Sequence, residues 1–306
     1  MDAFLGLALL FSGLLLVVAG ADVFLDGLLA TARRYHVAPF AITVIVSGFE
    51  VENIVAGIAA NLQGLPGAAA GTVLGGTTFL ALAVSGFGAM IAPIDAALPG
   101  RALLWTAAAP LPLLILAPDG TLSRFDGALL IVWFIFAIVG LARSGTAIVP
   151  DEDDEAPPRR AVATLLAGMA LLGAGGELLG EGLRTTVSRL GVSPTLLGNT
   201  AVAAAVEAEE IFRVAAPARR GRGDIALGNV LGTIVHFATF NAGVIALVKP
   251  LTLDTATLRF HLPVAVATTL LLCALLQWRG RVDRRGGGFL LLSYVAYVAT
   301  AILLAR

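Results

Sequence analysis

The feature that most limits what this chain can become is a near-continuous succession of apolar runs, each about as long as a bilayer is thick. A helix that crosses the hydrocarbon needs about 20 mostly apolar residues. Cutting the sequence at its charged, Gly and Pro punctuation gives ten such stretches, at 3–31, 38–62, 67–91, 101–117, 124–143, 161–189, 194–215, 223–247, 257–278 and 287–305. Charged residues are 13% of the 306, where soluble domains carry about 25%, and the mean hydropathy is +0.91. Backbone polar groups in lipid must be satisfied within the segment, which favours helices. The pattern predicts an all-α polytopic membrane protein with ten transmembrane helices, its immediate partner the lipid bilayer. A formal net charge of −1, with no basic and aromatic cluster, excludes nucleic acid as a partner. The single cysteine, Cys273 in LLLCALLQW, excludes a disulfide or a Cys metal cluster within one chain. The N-terminus MDAFLGLALLFSGLLLVVAG lacks a basic leading region and a small-residue cleavage site, so it reads as the first membrane helix.

The longest polar stretch, SGTAIVPDEDDEAPPRR at 144–160, falls between the fifth and sixth stretches and reads as a solvated acidic linker between units 1–143 and 161–306. Basic loops are retained on the cytoplasmic side. One set of loops carries thirteen arginines, Arg33, Arg34, Arg219 and Arg220 among them, and the other set six basic residues. This imbalance predicts a cytoplasmic linker and both termini outside. The bias toward Ala, Gly and Arg, with Lys249 the single lysine, points to a prokaryotic plasma membrane.

The chain also repeats itself. AGADVFLDGLLATARRYHVAP (19–39) matches AGGELLGEGLRTTVSRLGVSP (174–194) at an offset of 155, pairing Asp22 with Glu177 and Asp26 with Glu181. EVENIV and AAAGTVLGG (within 50–76) match EAEEIF and IALGNVLGT (within 207–233) at an offset of 157. Five spans in each copy give the copies opposite topology, two inverted five-helix repeats. Inverted repeats of this kind build transporters whose site lies near the midplane, where the copies meet.

The repeat gives meaning to the acidic residues that interrupt the apolar runs. Glu50 pairs with Glu207, Glu52 with Glu209 and Asn53 with Glu210. A charged residue at the bilayer centre costs about 2.5–3.5 kcal/mol on insertion scales, so three carboxylates in AVEAEE are unsuited to facing lipid. Three-residue spacing places 50 with 53, and 207 with 210, on one helical face. Two such faces meeting would form an oxygen-rich pocket for a hard cation. Glu50, Glu207, Glu210 and Asn53 are the expected ligands. Glu52 and Glu209 point elsewhere on a regular helix; either the backbone is broken here and they too reach the pocket, or they serve a water-filled path or a proton.

These residues, with GDIALGNVLGT (223–233), its weaker partner GAAAGTVLGG (67–76), GVSPTLLGNT and PLTLDTATLRFHLPVAVATTLLL, resemble the cation/calcium exchanger superfamily over nearly the whole chain. The resemblance implies ten helices in two halves, with alternating access as the first and sixth helices slide against the rest. The acidic motif departs from the family pattern G-T-S-L-P-E. Against it, Glu50 and Glu207 replace the Ser, Glu52 and Glu209 replace the Pro, and Glu210 keeps the Glu while Asn53 does not. Family polar positions further on fall on Gly76 and Leu80, and on Thr233 and Phe237. Fewer neutral ligands and more carboxylates favour a divalent cation, or coupling to protons, over several sodium sites. The expected activity is antiport of calcium or another divalent cation against sodium or protons, with these ions as substrates, metal cations as partners and no cofactor.

Among single residues, Asn229 and Thr72 follow the signature glycines and either offer oxygens to the ion or cap helix contacts, with the resemblance favouring Asn229 as a site residue; Thr233 leads Thr77, Thr78 and Thr239, since membrane Thr often bonds its own backbone. His236 serves equally as a ligand or proton relay and as a packed histidine. Asp22, Asp26, Glu177 and Glu181 are expected near helix ends, in structural service. Gly71, Gly75, Gly228 and Gly232 have the small-xxx-small spacing of close helix crossings. Arg213, three residues after Glu210, either pairs with it or snorkels toward Arg219 and Arg220, the expected direction. A metal-dependent enzyme would carry a motif such as H-E-x-x-H, which the sequence lacks, so no enzymatic activity is expected. The alternative to an antiporter is a transport-inactive scaffold or sensor on the same fold.

Overall fold

The computed structural model describes residues 2–48, 51–95, 98–144, 160–187 and 207–304. In chain order these form α1 (Asp2–Tyr35), α2 (Pro39–Val46), α3 (Val51–Leu62), α4 (Pro66–Phe79), α5 (Ser85–Ile91), β1 (Ile94–Asp95), α6 (Gly100–Ala108), α7 (Leu111–Leu116), β2 (Thr121–Leu122) and α8 (Arg124–Ser144). The chain continues with α9 (Ala161–Val187), α10 (Ala208–Arg219), α11 (Gly223–Val235), α12 (Ala242–Val248), β3 (Leu251–Thr252), α13 (Leu262–Arg279), β4 (Arg281–Val282) and α14 (Arg284–Leu304).

Among the described residues six helical stretches are long and apolar enough to cross a membrane: Phe11–Tyr35, Pro66–Ile91, Arg124–Ser144, Gly223–Val248, Thr257–Arg279 and Arg284–Leu304. The last five lie within three residues of the stretches read from the sequence. Two expected single spans differ. The stretch 38–62 is divided into α2 and α3, with a turn at Ser47–Gly48. The stretch 101–117 divides into α6 and α7 where Pro110, lacking an N–H, ends the helical ladder. Of 194–215, residues 194–206 lie outside the described residues, and α10 runs beyond 215 to Arg219, with Pro217 in its last turn.

The sequence repeat reappears in the elements. α5 and α12, and β1 and β3, are offset by 157, while α8 and α14, 21 residues each, are offset by 160. π-helical turns at Leu80–Val84 and His236–Asn241 join α4 to α5 and α11 to α12. Glycines with left-handed φ recur at the same offsets, Gly64 with Gly221 and Gly120 with Gly280, at turns where a Cβ would be strained. The short antiparallel ladders cross between the halves, β1 with β4 and β2 with β3.

α1, at 1.5 Å per residue about 51 Å long, exceeds the hydrocarbon thickness of about 30 Å and is long enough to span it with some tilt. It packs antiparallel on α9 through glycines spaced seven apart on both helices. A Cβ on Gly27 would lie 2.2 Å from the Leu165 nitrogen, and one on Gly168 2.3 Å from the Phe24 nitrogen. Gly20 and Gly175 meet the Leu172 and Val17 backbones in the same way, at 2.9 and 2.8 Å. Backbones this close need side chains no larger than hydrogen. The pair reaches the remaining helices through a small cluster that joins Phe24, Leu25 and Leu28 to Ile225, Ile42 and Phe212. A larger core beneath α2 and α11 includes Phe40, Val44, Leu227, Leu231 and Phe237. On the periphery α8 exposes Phe125, Ile135 and Phe136, and α14 exposes Leu292, Val295 and Leu303, apolar faces suited to lipid.

Candidate functional site

The site is built where the turn after α2, the first turn of α10 and the middle of α11 converge. α2 crosses α11 closely because Gly228 lies against Phe40, and Gly232 against Val44 and Ser47; a Cβ on Gly232 would stand 2.6 Å from Ser47 Oγ. Gly48 is covered by the His236 ring, so that a Cβ there would be 2.1 Å from the ring Cγ. These glycines deliver the Ser47 carbonyl and the start of α3 to the acidic end of α10.

Glu207 precedes α10, and Glu209 and Glu210 occupy its first turn, where unpaired N–H groups favour negative charge. All three are buried, at 1%, 3% and 0% exposure. Asn53, buried on α3, donates from Nδ2 to Glu207 Oε1 at 2.9 Å, so the repeat-equivalent segments do touch. On α11 the buried Asn229 donates through Nδ2 to Glu210 Oε2. Thr233 and His236 follow Asn229 by four and seven residues, which keeps all three on one face, and both are buried. Several buried oxygens find no donor among the described residues: Glu207 Oε2, Asn229 Oδ1, Thr233 Oγ1 and Ser47 Oγ. Buried polar atoms are seldom left this way without a role, and a cation would satisfy such acceptors.

Arg213 corrects the sequence expectation. Its guanidinium does not snorkel; it is buried, bonded to Glu209 at 2.5 Å, to Glu210, and to the Ser47 carbonyl oxygen at 3.2 Å. The reason is helical spacing. Glu209 and Glu210 stand four and three residues before it, the two positions a side chain on that face reaches. A carboxylate left buried without a partner costs more than the pair does. Among the described residues no group of three His, Cys, Asp or Glu side chains is arranged to hold a metal ion.

The other expected residues are placed as follows. Glu50 lies outside the described residues; Glu52 is in α3, with its side chain likewise outside them. His236 donates from Nδ1 to the Gly232 carbonyl at 2.9 Å, its ring edge-on to Phe134. Thr77, Thr78 and Thr239 bond the carbonyls of Val73, Leu74 and Val235, as membrane threonines do, and Thr72 bonds Ala69. Asp22 and Asp26 tie α1 to the end of α10 through Arg220, at 2.7 and 2.5 Å. The hydrogen bond to Asp26, with both carboxylates nearby, holds the Arg220 pKa above its ordinary value. Glu177 and Glu181 are exposed on α9. At the far end of α3, Asn61 donates to the Lys249 carbonyl while the Lys249 ammonium donates to the Asn61 carbonyl, at 2.7 and 2.8 Å.

The family model described as sodium/calcium exchanger protein matches the chain twice, over residues 5–142 and 160–303. The chain belongs to the sodium/calcium exchanger family. This family member is 30% identical to the putative antiporter CaxA of Alkalimonas amylolytica, over 93% of this chain and 95% of that protein. It is 29% identical to the inner membrane protein YrbG of Escherichia coli (strain K12), over 94% and 93% of the two chains. A solved structure of the sodium-calcium exchanger NCX_Mj superposes with a TM-score of 0.80 at 26% identity, covering 97% of this chain and 99% of that one. The protein is thus a membrane protein of the sodium/calcium exchanger family with antiporter homologues and an NCX_Mj-like helical fold.

Proposed function

We propose that the protein is a secondary active antiporter that moves calcium, or another divalent cation, against sodium or protons by alternating access, with no enzymatic chemistry and no cofactor. Its site residues are Glu207, Glu209, Glu210, Asn53, Asn229 and Thr233, with His236 on the α11 side; Glu50 and Glu52 are assigned to it from the sequence repeat alone. Ten spans in two inverted five-helix repeats, 1–143 and 161–306 joined by the 144–160 linker, carry it, with both termini outside and the linker in the cytoplasm.

The observation that carries this reading is Glu207: a fully buried carboxylate held on one oxygen by Asn53 from the other half of the chain, its second oxygen without a donor among the described residues. Hard oxygen ligands with carboxylate charge suit a divalent cation. Reconstitution into proteoliposomes tests it. An outward sodium or proton gradient drives calcium uptake, and Glu207→Gln abolishes the uptake while the protein stays folded. The pairing of Arg213 with Glu209 and Glu210 favours a second reading, a transport-inactive scaffold or sensor whose carboxylates are neutralised from within. Folded protein that moves no cation under any gradient would select it.

A further inference from the structure

We propose that Arg213 is a tethered counter-cation of the site: a transported cation binds by displacing its guanidinium from Glu209 and Glu210. This deepens the antiporter reading and rests on it.

Three observations carry the inference. The first is occupancy. Glu210 is engaged on both oxygens, by Arg213 on Oε1 and by Asn229 on Oε2, so with Arg213 docked it has no oxygen left outside these two bonds. Glu209 Oε1 is taken by the same fork at 2.5 Å. The second is asymmetry within the cluster. Glu207, two residues from Glu209, meets an amide donor and leaves Oε2 open among the described residues, as do Asn229 Oδ1 and Thr233 Oγ1. Asn229 joins its open Oδ1 to Glu210 through Nδ2, so a cation held at Asn229 Oδ1 and Glu207 Oε2 has the carboxylates that Arg213 holds as its neighbouring charge, and draws on them by displacing the guanidinium. The third is chemistry. A guanidinium stays protonated at any physiological pH, so the positive charge it brings cannot be shed by deprotonation. It can only move. Its bonds to the carboxylates are strong and planar, yet a divalent ion carries twice the charge and is the better partner for clustered carboxylates.

Arg213 therefore sets affinity and selectivity. It keeps the empty site from being a cluster of uncompensated carboxylates, and it raises the concentration at which any cation enters. Monovalent ions, with no charge advantage over the guanidinium, are penalised more than divalent ones.

The full chain in detergent, titrated with calcium, manganese or sodium chloride and followed by thermal stabilisation, tests this, because a ligand stabilises only the state that binds it. Wild type is stabilised by calcium; R213Q reaches half-maximal stabilisation at a calcium concentration roughly tenfold lower, about 1.4 kcal/mol of binding. R213K, which keeps the charge and loses the fork, falls between the two. The sodium midpoint drops more than the calcium midpoint in R213Q. Should R213Q not fold, wild type carries the test: phenylglyoxal modification of Arg213, read by mass spectrometry, rises when calcium saturates the site. An R213Q midpoint equal to or above that of a calcium-responsive wild type, or Arg213 modification unchanged by calcium, overturns the proposal and leaves the antiporter reading standing. No stabilisation of either protein by any cation overturns the cation site itself, and the proposal with it.

Discussion

Replacing Gly27 by alanine puts the packing of α1 on α9 to a quantitative test. The new Cβ would lie 2.2 Å from the Leu165 nitrogen, 2.5 Å from its Cα and 2.7 Å from the Thr164 carbonyl carbon. Carbon atoms rest at about 3.5–4.0 Å from one another, so the helices must part locally by about 1 Å. All three obstructing atoms are backbone, and no rotamer change relieves them. Overpacking of this kind costs about 1–3 kcal/mol, and the upper end applies where both surfaces are rigid. Alanine returns up to about 1 kcal/mol of helix propensity, which leaves a net loss of about 2 kcal/mol. For a chain of this size that corresponds to a fall of about 4 °C in Tm. Gly288→Ala is the control. It lies in α14, where a Cβ would meet nothing within 4 Å, so alanine is neutral or slightly stabilising. Thermal unfolding of the two variants beside wild type, in one detergent, is the assay. Equal melting temperatures for Gly27→Ala and Gly288→Ala would refute the claim that the two helices touch through their backbones.

Other substitutions probe the site's surroundings. Gly48→Ala drives a Cβ into the His236 ring, and because ring and turn are both buried, antiport falls together with stability; unchanged flux in proteoliposomes would show that the turn has room to spare. Arg220→Ala removes the tie between α10 and Asp22 and Asp26, and since all three side chains are substantially exposed the loss is at most about 1 kcal/mol. That difference from wild type vanishes in 1 M salt, roughly the regime of a 3 Å Debye length, and a difference that persists there would contradict an ionic origin.

The sequence revealed the repeated architecture because its signals are local and duplicated. Apolar length marks the spans, and Gly64 and Gly221, or Gly120 and Gly280, mark turns at the same offsets that relate the helices. The break in the 38–62 stretch was one of two alternatives the sequence left open, because no proline announces it; Gly48, where His236 leaves no space for a side chain, was the remaining signal. The glycines at 20, 27, 168 and 175 stand at seven-residue spacings that were not singled out from the sequence, because which helix faces another is a tertiary matter. Asn53 meeting Glu207 followed from the repeat. Arg213 did not, although Glu209 and Glu210 at four and three residues before it carried the information. The expectation that a long cationic side chain reaches for water gave way to the larger cost of leaving carboxylates buried alone. Asn229 Nδ2, donating to Glu210, shows the signature segment of α11 engaging the acidic turn through a side chain that the family likeness had singled out.

The central claim is that buried oxygens around Glu207 receive the transported cation, and locating that cation in an experimental structure tests it most directly. Crystals soaked in strontium or manganese, whose anomalous scattering marks the ion, should show a peak about 2.0–2.6 Å from Glu207 Oε2, with Asn229 or Thr233 in the same shell. A well-ordered Glu207 with no peak beside it, or an ion bound only elsewhere in the protein, would contradict the account.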